Sequence, residues 1–218
     1  MLTKLQQLLE IGGLVLLPIV GCSVVALAIT LERLWALRRR AVIDERAVAA
    51  VFAHVHDGDV RAALAVTMQR PLPQLRILAA VLRHAGRPRA CIRAALDDAG
   101  RAEIPVLERF VEGLATIATI TPLLGLLGTV LGMIEAFRLV ELHGFGDPSR
   151  FASGIWQALV TTAAGLVVAI PAFAVYRALL ARIDRFLRQL EQTGLALLEL
   201  VAAPDERPGD ATSARTTP

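Results

Sequence analysis

Three long stretches without a charged residue set the plan of this chain. They run from Ile11 to Leu31, from Gly113 to Ile134 and from Phe151 to Tyr176, bounded by Glu10 and Glu32, Glu112 and Glu135, Arg150 and Arg177. An α-helix rises about 1.5 Å per residue, so roughly 20 apolar residues cross a hydrocarbon core, and each stretch is long enough. A buried helix of a water-soluble protein seldom runs so far without a charge. The pattern predicts transmembrane helices over 11–35, 108–137 and 151–178.

Between and beyond these stretches the apolar residues recur at helical spacing. Residues 36–107 read as helices broken at His56-Asp57-Gly58-Asp59, at Arg70-Pro71-Leu72-Pro73 and at Gly86-Arg87-Pro88. Asp59 is placed to cap a helix ending near Met68. Ile92, Ala95, Leu96 and Ala99 mark a half-buried stripe. No Gly/Pro cluster separates this last helix from the second span, so one continuous helix is predicted there, with Pro105 allowing a kink. Past the third span, Leu180, Ile183, Leu187, Leu190 and Leu197 recur every three or four residues. Span three and its extension over 179–203 therefore read as a rod of about 70 Å that needs sister helices. From Pro204 the chain is rich in Pro, Thr, Ser and Asp and reads as a disordered tail, 204–218. The fold class is all-α: three transmembrane helices, with spans two and three extended into a cytoplasmic helical bundle.

Charge fixes the expected orientation. Residues 32–112 carry 14 Arg, among them Arg38, Arg39 and Arg40 at the foot of span one. Arg177, Arg182, Arg185 and Arg188 follow span three, whereas the 138–150 loop holds only Arg138 and Arg150 and the segment 1–10 only Lys4. Positive charge collects on the cytoplasmic side, so the N-terminus and the 138–150 loop are expected outside. Ala26-Leu27-Ala28 resembles a signal-peptidase site, but the positive charge follows the apolar stretch instead of preceding it, so span one is expected to be retained.

Composition narrows the function classes. Hydrophobic residues make up 55% of the chain, which excludes disorder over most of its length. Aromatics at 5% argue against a base-stacking platform, and a net charge of +3 beside membrane spans is met by anionic lipid headgroups, not nucleic acid. His54, His56, Asp57 and Asp59 lie close together without a ligand spacing that closes a metal shell, so a solvated turn is expected. Cys22 and Cys91 fall in different regions and are expected to stay reduced. With no phosphate loop, nucleophile elbow or paired carboxylates, neither enzyme chemistry nor a cofactor is expected.

The informative residues lie inside spans two and three. At 100° per residue, Ala115, Ala118, Pro122, Gly125, Thr129, Gly132 and Ala136 share one narrow face, and Gly128 adds a small-xxx-small pair with Gly132. On span three Ala158, Thr162, Gly165 and Ala169 form a second small-residue stripe, with Gly154 and Ala172 at its edge and Gln157 and Thr161 beside it. Two readings stay open. These faces pack against one another, their threonines bonded to their own helices; or Thr129, Thr161, Thr162 and Gln157 line a polar path shared among copies.

The run Ala118-Thr119-Ile120-Thr121-Pro122-Leu123-Leu124-Gly125-Leu126-Leu127-Gly128-Thr129-Val130-Leu131-Gly132-Met133-Ile134 resembles the second-span signature of the ExbB/TolQ/MotA proton-channel family, and of ExbB most. Gly154-Ile155-Trp156-Gln157-Ala158-Leu159-Val160-Thr161-Thr162-Ala163-Ala164-Gly165-Leu166-Val167-Val168-Ala169-Ile170-Pro171-Ala172 is similar to its third span. The resemblance implies a homopentamer in the bacterial inner membrane around the spans of an ExbD/TolR-like dimer. That partner's aspartate would carry protons and drive a TonB- or TolA-like protein. It also implies that Thr129 and Thr162 face the partner's aspartate. Many members have a glutamate where this chain has Gln157, and an amide cannot ionise, so the carrier is expected to belong wholly to the partner.

Overall fold

The computed structural model describes residues 14–143 and 148–203, and these are helical apart from short connections. The expected N-terminal segment 1–10, the middle of the 138–150 loop and the tail 204–218 lie outside the described residues. Helix α1 spans Leu16–Ala36; Pro18 sits in its first turn, where a missing N–H costs nothing. Short α2, Arg39–Val42, is followed by α3, Glu45–His56, and α4, Val60–Met68. Helix α5 is Pro73–Leu82, and its Pro73 at the first helical position follows an extended Leu72, as a residue before proline prefers. Then come α6, Arg89–Glu108, α7, Val111–His143, and α8, Pro148–Val201. Helices α1, α7 and α8 are long and apolar enough to cross a membrane.

One expectation is corrected. The cytoplasmic helix does not run on into span two: α6 stops at Glu108 and α7 starts at Val111. The break needs neither glycine nor proline. Phe110 takes a φ of 63°, the left-handed region that a bulky residue enters at a cost. Its ring is flanked by two guanidiniums, Arg109 at 4.6 Å and Arg33 at 5.7 Å from the centroid, contacts that favour this unusual backbone. Arg33 is itself buried and paired with Glu32. Pro105, the expected kink, is carried inside α6.

The chain divides into two compact units, each with its own packing. One holds α1, α7 and the membrane-crossing part of α8; Leu114, Ala136, Ala158 and Ala169 are buried in it. Its outer surface is apolar: Val24, Leu27, Leu126, Val167 and Ile170 are exposed, as hydrocarbon or further helices would require. The other unit runs over 37–107 and from 182 onward. Its core is Val51, Leu75, Leu78, Ile92, Leu96, Ile183, Leu190 and Leu197, so the stripes on α6 and α8 do face inward. Gly86, at φ 77°, donates its N–H to the Val201 carbonyl at 2.9 Å and so pins the end of α8 to the α5–α6 turn. Ion pairs tie α6 to its neighbours: Arg76 to Glu103, Arg89 to Glu199, and Arg93 to Glu191, while Arg93 also pairs with Asp97 within α6.

Caps set the helix starts in this second unit. Asp59 Oδ1 accepts from the Ala62 N–H at 2.9 Å, as expected from its position before α4. Asp44 does the same for α3, accepting from Ala47 at 3.2 Å, and its other oxygen accepts from Arg70 at 2.9 Å. The Ala47 N–H, aided by Arg70, holds the Asp44 carboxyl below the usual aspartate range against a smaller opposing effect of burial. A lowered value means that this stabilisation is present above the unfolded aspartate's pKa and is lost as pH falls through the folded one. Asp44→Ala should therefore cost about 1 kcal/mol near neutral pH. Thermal unfolding followed by circular dichroism should show the gap to the parent narrowing as pH falls through and below the usual aspartate range.

Candidate functional site

The α7–α8 hairpin is built on backbone contact. A Cβ placed on Gly165 would lie 2.8 Å from the Thr121 carbonyl oxygen and 3.1 Å from Gly125 Cα. One on Gly132 would meet Ala158 Cβ at 2.7 Å, and one on Gly128 would meet Thr161 Cγ2 at 2.3 Å. Small residues on both helices allow this approach, and in a membrane close van der Waals packing is a main source of helix association. The small-residue faces expected from the sequence thus meet each other. The buried line on α7 also includes Thr121, which the sequence reading passed over; its hydroxyl donates to the Ile117 carbonyl at 2.5 Å. Thr121 lies four residues before Gly125, the spacing that marks one helix face.

The hydroxyls differ in their surroundings. Thr161 is buried against Gly128 and donates to the Gln157 carbonyl at 2.7 Å. Thr162 reaches across the interface and donates to the Gly125 carbonyl at 2.8 Å, joining the two helices. Thr129 donates to the Leu126 carbonyl at 2.6 Å and borders a broad groove with Val130, Met133, Ile134 and Phe137. Each hydroxyl proton is thus committed to a carbonyl, which is how polar groups survive in hydrocarbon.

The four residues expected to share one path are divided within a single chain. Gln157 and Thr161 open into a cleft of about 220 Å³ bordered by Gly128, Leu131, Gly132 and Glu135. Thr129 borders the separate groove, and Thr162 lies in the interface between the two helices. Glu135 was not among the expected site residues. Its signal was present: Gly128, Leu131, Gly132 and Glu135 are spaced at three, one and three, a single helical stripe.

Elsewhere, His54 and His56 end α3, and Asp59 is occupied as a cap. No group of three or more metal-ligating side chains gathers among the described residues. Arg38 is exposed just past α1, and Arg39 and Arg40 open α2. Cys22 and Cys91 are free thiols.

Comparison with known proteins matches this arrangement. Residues 51–192 match the model of the MotA/TolQ/ExbB proton channel family. A putative biopolymer transport protein ExbB-like 3 of Synechocystis is 37% identical over 84% of this chain and 89% of its own. A second Synechocystis protein, ExbB-like 1, is 35% identical over 82% of this chain and 72% of its own. The Tol-Pal system protein TolQ of Haemophilus influenzae is 39% identical over 44% of each chain. Three bilayer-length apolar helices and these relatives describe a multi-pass membrane protein of a transport family, not an enzyme family. Signature, hairpin and relatives agree, and the chain belongs to the MotA/TolQ/ExbB proton channel family.

Proposed function

We propose that this protein is the channel-forming subunit of a proton-driven machine of the ExbB type in the bacterial inner membrane. Its N-terminus and 138–150 loop face the periplasm, and its α3–α6 helices and the far end of α8 face the cytoplasm. Five copies surround the single spans of an ExbD/TolR-like dimer, and proton flow past that partner's acid is coupled to a TonB-like protein serving outer-membrane transport. Arg38, Arg39 and Arg40 meet the anionic inner leaflet.

The observation that carries this reading is the α7–α8 hairpin, held in close contact through Gly125, Gly128, Gly132, Ala158 and Gly165, with Ala169 buried on the same stripe. It bears the hydroxyls of Thr129, Thr161 and Thr162 and the Gln157 amide within otherwise apolar spans. Polar groups kept at membrane depth commonly mark ion routes.

The test removes hydroxyls without changing shape. Thr129→Val and Thr162→Val should leave the pentamer intact by native mass spectrometry, yet reduce proton flux to near background in liposomes that also contain the partner. Unchanged flux would remove the lining role. A TolQ-like role in envelope maintenance is the second reading, favoured by the match to the Haemophilus protein. Loss of envelope integrity with intact energised uptake in a deletion strain would select it.

A further inference from the structure

The cleft on the α7–α8 hairpin holds a carboxylate that the preceding reading does not use. Glu135 borders it together with Gln157 and Thr161, its walls are Gly128, Leu131 and Gly132, and Leu14 and Val15 border it from the turn before α1. About 220 Å³ is room for several waters, and the polar groups give them partners. The cleft closes at Gly128, where Thr161 packs so closely that even a methyl would clash.

The Glu135 side chain is 55% exposed on the chain's own surface. Its charged neighbour is Arg138, one turn on along α7, at 3.7 Å and itself well exposed. From α8 the cleft receives Gln157 and Thr161, and from the turn before α1 Leu14 and Val15; none of these titrates. A carboxylate and a neutral amide border one cleft that closes tightly at Gly128, and polar groups held at membrane depth commonly mark ion routes.

We propose that Glu135 is the proton-collecting group of this protein, taking protons from the outer solution into the α7–α8 cleft and passing them through water beside Gln157. The proposal deepens the channel reading above and rests on it. Glu135 binds a proton at a carboxylate oxygen and releases it to cleft water; Gln157 orients that water and carries no net proton.

The test uses the full chain with its single-span partner in liposomes, measuring inward proton flux against outer pH. Glu135→Gln should lower flux by roughly tenfold or more, in the range lost with a positioned proton-transfer group, and flatten its dependence on outer pH. Glu135→Asp should restore much of both. Glu135→His, which titrates nearer neutrality, should move the flux–pH profile toward neutral and keeps the test valid should the glutamine variant fail to assemble. Parent-like flux and profile in E135Q, or an unshifted profile in E135H, would overturn the proposal. If the Glu135 variants behave like the parent while T162V abolishes flux in the same preparations, the channel reading stands and the role of Glu135 falls. If T129V and T162V both leave flux unchanged, the channel reading itself fails.

Discussion

Gly165→Leu should prevent the hairpin from closing, and Gly165→Ala alone should destabilise it by about 1–3 kcal/mol, the usual cost of overpacking. The new Cβ would meet main-chain atoms, the Thr121 carbonyl at 2.8 Å and Gly125 Cα at 3.1 Å, which cannot swing aside as a side chain can. The Thr162–Gly125 hydrogen bond would be lost with the approach that permits it. Unfolding in detergent followed by the fluorescence of Trp156, which lies on α8, should report the loss. Gly100→Ala is the matched control. Nothing lies within 4 Å of its added methyl, so the helix propensity of alanine should raise stability by up to about 1 kcal/mol. Opposite signs from one substitution would show that contact at Gly165, and not glycine as such, holds the spans together.

Arg76→Met should destabilise the second unit, 37–107 with the end of α8, by about 3 kcal/mol, because it leaves Glu103 buried with its charge unanswered. The Glu103 side chain is only 6% exposed and accepts from Arg76 Nε at 2.7 Å and Nη2 at 2.5 Å. Glu103 in turn raises the Arg76 pKa, mainly through this hydrogen bond and against burial. A raised cationic group contributes stability below its unfolded pKa and loses it only above the folded one, so no pH step from Arg76 is expected in the neutral range. The double variant Arg76→Met/Glu103→Leu should recover most of the loss, to within about 1 kcal/mol of the parent. Chemical denaturation of the four forms gives the coupling. A double variant no better than the single one would mean that Arg76 acts through packing and its bond to the Pro71 carbonyl.

The parts of this molecule legible in its sequence are those governed by local pattern. Charge-free length marked α1, α7 and α8; Asp59 marked the start of α4; helical spacing brought Ile92 and Leu96, Ile183 and Leu190 to a core. Small residues at three- and four-residue steps announced the hairpin contact. What escaped depends on partners distant along the chain. The stop at Phe110 is supported by Arg33, on another helix, and carries no breaker residue. Arg76 and Glu103 look like ordinary surface charges until α5 and α6 are placed together. Glu135 looked like the end of a span, and its place beside Gln157 follows only once α8 is packed on α7. Periodicity reports which face of a helix is buried, and only tertiary placement reports what it is buried against.

The committed hydroxyl protons of Thr129 and Thr162 bear on which acids these positions tolerate. A hydroxyl has one proton to give and two lone pairs to offer, and here the proton is already spent on a main-chain oxygen. An ionised acid drawing near finds no donor at either site, while its neutral form, carrying a hydrogen of its own, finds an acceptor. In the proposed channel these threonines would therefore favour the uncharged form of an acid, without themselves gaining or losing a proton.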